Sequence, residues 1–250
     1  MSLRLFVHQL RSEQLLFWRS KEAALFIFLF PLLLFTLLGS VYSGKIYGVP
    51  AAQVLLAGLI GYGCANTSFA GLAITLVIRR EQAILKRVRA TPLPASTYVA
   101  SLLVSTLIVF TLQTIALFGL GRAMYGTPFP SAVGSLVLAI VVGSAVFAAL
   151  GVATSSLIRS GEGSSAVVNF ILLPTAFLTG SFGPTRHYPT FLRGIGDLLP
   201  LKYFVDLMNA IYLDNRGIWT KPLDLGVLAA WGLAGLVVAV VKFRWEPRDG

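Results

Sequence analysis

The chain has 250 residues, of which 56% are hydrophobic and only 12% charged, with a mean hydropathy of +0.80 and a formal net charge of +10. A soluble domain carries about 25% charged residues, so this composition excludes an ordinary soluble protein and places the chain in a bilayer. A pI near 10.1 also suits a nucleic-acid binder, but here the cations flank apolar runs instead of gathering on one polar face, which argues against that class.

In chain order, residues 1–22 read first as an amphipathic helix. Leu3, Phe6, Val7, Leu10, Phe17 and Trp18 fall on one stripe, and Arg4, His8, Arg11, Ser12 and Arg19 on the other. Two readings are open: a helix lying in the membrane interface, or a cap on the first span. The segment is too elaborate for the n-region of a signal peptide, and the apolar run after it is too long for an h-region, so no separate signal peptide is expected.

A spanning helix needs about 20 mainly apolar residues. Six stretches meet this: Ala23–Tyr42, Val54–Ile78, Tyr98–Leu120, Ser131–Ile158, Ser164–Phe182 and Leu223–Val241. No charged residue lies in the middle of any of them. The runs are continuous rather than alternating, so helices are predicted, not barrel strands. The fold class is an all-α membrane protein with six transmembrane helices.

Between the first two spans lies "GSVYSGKIYG", with Gly39, Gly44 and Lys45 at P-loop spacing. A P-loop needs a strand before it, a helix after it and Ser or Thr next to the Lys. Here an apolar helix precedes, Ile46 follows the Lys, and Gly48-Val49-Pro50 predicts a turn. The match is therefore read as chance.

After the second span comes "RREQAILKRVRATPLP". Ile84, Leu85 and Val88 form an apolar face against Lys86, Arg87 and Arg89, and Pro92 and Pro94 end the helix. This reads either as a surface helix that docks a partner or as a solvated basic loop that sets topology. Lys and Arg concentrate in the N-terminal segment, in this loop, at Arg159 and in the tail (Lys242, Arg244, Arg248), against Lys45 and Arg122 in the alternate short loops. The positive-inside rule then puts both termini in the cytoplasm. The outer segment, residues 184–221, is predicted as a helical hairpin before the sixth span.

The lone Cys64 excludes an internal disulfide, and with only His8 and His187 no His-based metal site is expected. Uncharged polar residues remain inside the spans: Asn66, Thr67 and Ser68, then Gln113 and Thr114, then Asn169 and Thr175. Such residues face protein or a cavity, so Asn66 and Asn169 either line a substrate path or bond helices together. Asn169, Leu173, Ala176 and Gly180 are predicted on one face of span five, with Pro174 kinking that helix. Phe69, Phe170 and Phe177 are candidates for an apolar lining; ordinary packing is the alternative.

Three stretches carry a family resemblance: "WRSKEAALFIFLFPLLLFTLLG" with Pro31, "RREQAILKRVRATPLP" with Glu81, Arg87, Thr91, Pro92 and Leu93, and "FLTGSFGPTRHYPTFLRGIGDLLPLKYFVDLMNAIYL" with Gly180, Pro184, Pro189, Pro200, Leu201, Tyr203 and Asp206. In order, over nearly the whole chain, they resemble the permease subunits of type-2 ABC exporters, the group of daunorubicin-resistance, nodulation-factor and polysaccharide-export permeases. Gln82 and "GSFGP" depart from the usual pattern. The resemblance implies a six-span transmembrane domain over residues 23–250. It implies a coupling helix over about residues 80–91, with Glu81, Ile84, Leu85, Arg87, Thr91 and Pro92 at a separate ATPase. Asn66, Phe69, Asn169, Phe170, Leu173 and Phe177 are the substrate-path candidates. It further implies two ATPase subunits, a second permease copy or paralogue, and a bacterial-type inner membrane. No cofactor would be held by this chain itself; ATP and Mg2+ would sit on the partner. The alternative is a stand-alone transporter or channel. No paired acids, metal ligands or nucleophile–base set suggests a membrane-embedded enzyme.

Overall fold

A computed structural model of the chain describes residues 3–42, 44–46, 48–243 and 245–246. Arg244 and Arg248 of the tail, and Ser43 and Tyr47 of the glycine-rich stretch, lie outside the described residues. The protein is all-α, with six helical segments long and apolar enough to cross a membrane.

Helix α1 (Leu3–Arg19) breaks at Ser20 and is followed by α2 (Lys21–Val41), the first span. Two residue pairs, β1 (Lys45–Ile46) and β2 (Val49–Pro50), then form a small antiparallel hairpin. The P-loop lookalike is thus a helix exit and a hairpin rather than a strand–loop–helix unit. Gly44 and Gly48 take the positive φ that this tight reversal requires.

The second span is one continuous run, Ala51–Glu81. It comprises α3 (Ala51–Cys64), a π-helical segment (Ala65–Gly71) and α4 (Leu72–Glu81). Nearly every residue from Leu55 to Ala70 is buried, so this is the central helix, packed by α2 and by α6 (Ala95–Tyr125), α7 (Val133–Leu157) and α8 (Gly161–Leu178). Its 31 residues reach roughly 46 Å at 1.5 Å per residue, well beyond ~30 Å of hydrocarbon. The excess carries Arg79, Arg80 and Glu81 out to the membrane surface.

The segment before span six is two unlike helices. The amphipathic α9 (Thr190–Leu198) leaves Phe191, Ile195 and Leu198 exposed. The following α10 (Pro200–Tyr212) buries Leu201, Phe204, Leu207, Met208 and Ile211 against α3, α7 and α11 (Pro222–Lys242), with Phe204 edge-on to Phe147 at 5.9 Å. Both helices are amphipathic, so the sequence does not tell which one packs inward. Lys202 pairs with Asp206 at 2.5 Å on the same helix. Burial lowers the Lys202 pKa, but Asp206 first and then Asp197 and Asp224 raise it more, so it ends above its ordinary value and stays charged. Asp224, in the first turn of α11, is itself buried.

Candidate functional site

The polar chemistry collects at the end of span two. Its last turn carries Arg79, Arg80 and Glu81, and each reaches a different element. Arg79 forms a two-pronged ion pair with Glu13 of α1, at 2.7 and 3.1 Å, and donates to the Tyr98 hydroxyl at 2.9 Å. Glu13 is only 4% exposed. A buried carboxylate needs such a partner, because an unpaired one costs several kcal/mol in a low-dielectric setting. The amphipathic stripe expected for α1 is therefore modified. The helix lies along α6, held there by Gln14, whose amide donates to the Ser105 carbonyl and hydroxyl, and is tied to α4 by Glu13, while Leu3, Val7, Leu16 and Trp18 stay exposed.

Arg80 and Glu81 grip the turn between α7 and α8 from both ends. Arg80 is 2% exposed and donates to the Ser155 and Ile158 carbonyls where α7 ends. Glu81 accepts from the Gly161 backbone N–H, at 2.8 Å, where α8 begins. Helix ends leave backbone groups without partners inside the helix, and the dipole favours a cation at the C-terminus and an anion at the N-terminus. One dipeptide meets both demands and ties span two to spans four and five.

Two residues further on, Ala83 adopts the left-handed region (φ 54°, ψ 20°) and breaks the helix. The expected helix over about residues 80–91 is thus divided: Glu81 closes α4, and a separate short α5 covers Ile84–Arg89. Leu85 is fully buried, clustered with Leu72, Leu76, Tyr98 and Leu102, and the tail's Trp245 packs against Tyr98 in a tilted ring contact at 5.9 Å. Ile84 and Val88 are half-buried on the same side. Leu85 therefore faces the protein's own core. The free face of α5 is cationic, made of Lys86, Arg87 and Arg89. Arg87 donates to the Gln82 carbonyl across the break at 3.1 Å. Thr91 and Pro92 are exposed, and the Thr91 hydroxyl donates to the Val88 carbonyl, closing the turn before α6.

The substrate-path candidates separate into two groups. Asn66 and Phe69 lie in the π-helix and are buried inside the chain. Beside them Thr67 donates to Gln113 at 2.9 Å, and Ser68 meets Ser144 of α7 at 3.1 Å. The amide nitrogens of Asn66 and Gln113 are buried and have no hydrogen-bond partner among the described residues. By contrast, Phe170 is 81% exposed, and Leu173 and Phe177 also face outward. Asn169 is half-buried and donates to the Ser165 carbonyl of its own helix, at 2.9 Å, and among the described residues it bonds no second helix. Ala176, expected beside Asn169 and Leu173, instead joins Val168 and Leu172 on the inward face. Pro174 lies inside α8, which continues through it to Leu178.

The six-span all-α architecture is in keeping with the comparison to known proteins. The chain matches the ABC-2 type transporter family over residues 4–213. It belongs to that family. Among curated relatives, the ABC-2 chain is 24% identical over 161 residues to "Probable multidrug ABC transporter permease YbhR" of Escherichia coli K12, covering 63% of this chain and 44% of that protein. It is 23% identical over 173 residues to "Inner membrane transport permease YhhJ" of the same strain, covering 68% of this chain and 46% of that one. The chain thus spans less than half the length of the curated relatives it matches.

Sequence reasoning missed Glu13, Arg79, Arg80 and Tyr98. One signal was present. Glu13 is the sole acid in the first 21 residues, and two adjacent arginines end an otherwise uncharged run. Charges at such positions call for partners.

Proposed function

We propose that this chain is the membrane permease of an ATP-driven exporter, powered by separate ATPase subunits bound on its basic side. The observation that carries the reading is the arrangement around Ala83. A short helix with a free cationic face joins directly to the Arg80–Glu81 dipeptide that holds the α7–α8 turn. Pressure on α5 is transmitted along span two and, through that dipeptide, to spans four and five. Arg87, Lys86, Thr91 and Pro92 are the ATPase contacts in this reading, with Leu85 anchoring the lever from behind. Glu81 acts as the link to span five, replacing its expected role as a surface contact.

The chain pairs with a second copy or a paralogue, and the outward face of α8, with Phe170, Leu173 and Phe177, borders the path between them. Asn66 and Phe69 join that path when span two moves. The cargo is hydrophobic or amphipathic, in keeping with the apolar outer face of α8 and with the word multidrug in one relative's name. The membrane is a bacterial inner membrane, with both termini cytoplasmic. ATP can drive export only if closed and open arrangements differ in free energy of contact, and the α5 surface is where that difference is imposed.

The test is co-purification and ATPase assay with candidate ATPase subunits, in lipid nanodiscs. Lys86→Glu combined with Arg87→Glu should lower ATPase capture at least about tenfold, the equivalent of one to two lost charge contacts, with membrane insertion unchanged. Unaltered capture, or transport by the chain with no ATPase present, overturns the reading.

A further inference from the structure

A groove opens where span four ends and span five begins, beside the turn that Arg80 and Glu81 hold. Its volume is about 470 Å³, and its walls are Thr154, Leu157, Ser160, Val167 and Ile171, with Arg159 at the rim. Ligand pockets for single small or one-chain molecules run from about 300 to 1,000 Å³. Leu157, Val167 and Ile171 are exposed apolar side chains on the membrane-spanning helices α7 and α8. The groove is therefore reached from the hydrocarbon, and its mouth lies at the level where both spans end.

Arg159 is the cation of this turn. It is exposed and makes no hydrogen bond or ion pair among the described residues. Two carboxylates stand by this turn, Glu81 reaching it from span two and Glu162 lying three residues after Arg159. Glu81 is committed to the Gly161 amide, and Glu162, in the first turn of α8, enters no ion pair among the described residues. A basic side chain at the rim of an apolar groove between spans, at the membrane surface, matches an amphiphile with one anionic head and an acyl chain. Water alone would satisfy the guanidinium but not the apolar walls.

We propose that this groove binds one anionic phospholipid, its phosphate on Arg159 and Ser160 and an acyl chain along Leu157, Val167 and Ile171. A neutral or zwitterionic lipid fills the same walls but gains less from Arg159. The assignment rests on the membrane reading of the chain, and its test needs no ATPase.

The test uses the full chain purified with an equimolar mixture of phosphatidylglycerol and phosphatidylcholine, with retained lipids read by native mass spectrometry. The wild type should retain phosphatidylglycerol in preference by about fivefold, the change one surface cation makes. Arg159→Gln should bring that preference close to unity, and Arg159→Lys should keep it, which separates charge from fold. Val167→Trp should lower retention of both lipids by filling the groove. Equal retention of the two lipids by the wild type, or an undiminished preference in Arg159→Gln, overturns the proposal. So does a stoichiometric disulfide between copies carrying Leu157→Cys, because a second chain would then cover the groove.

Discussion

The contact between Glu81 and Gly161 depends on a missing side chain. A Cβ at position 161 would come within 1.9 Å of the Glu81 carboxylate oxygen, so only glycine admits this cap. The carboxylate is the far end of a flexible chain and moves aside at low cost. Gly161→Ala therefore breaks the cap without disrupting the core, and Glu81→Gln weakens the same contact by removing its charge. Each should cost about 1 kcal/mol, the worth of a helix cap. The double variant should cost no more than the larger single one, because both remove one interaction. Thermal unfolding of the four proteins in one detergent measures this, and full additivity would mean the two residues act separately. Little of this was legible beforehand. Position 81 is marked as special by its place in "RREQ", but nothing local tells that its partner lies 80 residues away in sequence. The Glu13–Arg79 pair is hidden for the same reason: periodicity assigns a residue to a face, while a salt bridge depends on which helix lies opposite.

The elements were far more readable, because a bilayer allows few choices. A 20-residue apolar run must be a helix there, and six such runs gave six spans with ends displaced by a few residues. The π-helix left no such trace. Widening the helix by one residue changes hydrogen-bond partners, not composition, and a run that is apolar all round has no stripe whose phase would reveal the slip. Its cause is visible only in packing. The α7 backbone at Gly151 presses on the π-segment so closely that a Cβ would stand 2.7 Å from the Phe69 carbonyl oxygen and 3.1 Å from that of Ser68. Backbone, unlike a side-chain tip, cannot swing away. Gly151→Ala should therefore cost about 1–3 kcal/mol, the range for overpacking, and should shift the π-segment or push α7 outward. Gly119→Ala on α6 is the matched control, since nothing stands within 4 Å of its Cβ. There the substitution should be neutral or stabilising by up to about 1 kcal/mol. Thermal unfolding of both variants against wild type decides it, and equal effects would discount the close approach.

At the scale of the whole molecule, the six spans do different work, and burial separates them. Span two is enclosed by its neighbours, whereas α2, α8 and α11 turn many large apolar side chains outward. The enclosed helix also extends well past the hydrocarbon and carries the three charged residues that hold the surrounding elements. A displacement at its end cannot stay local, because α1, α7 and α8 are each fixed to it by a charged group. This architecture serves transport only if α5 and the segment after α10 stand on opposite sides of the membrane. Six crossings put Lys86, between spans two and three, on one side and Arg216, between spans five and six, on the other. Both side chains are exposed, and the lone native cysteine, Cys64, is fully buried, so it gives little labelling background. In intact cells a membrane-impermeant maleimide should label Arg216→Cys and spare Lys86→Cys. In inside-out vesicles the order should reverse. The positive-inside rule fixes the direction, because the loop around Lys86 is short and dense in Arg and Lys. Labelling of Lys86→Cys from outside intact cells would put the basic helix beyond the reach of any cytosolic ATPase, and no rearrangement of contacts within the bundle could restore the proposed coupling.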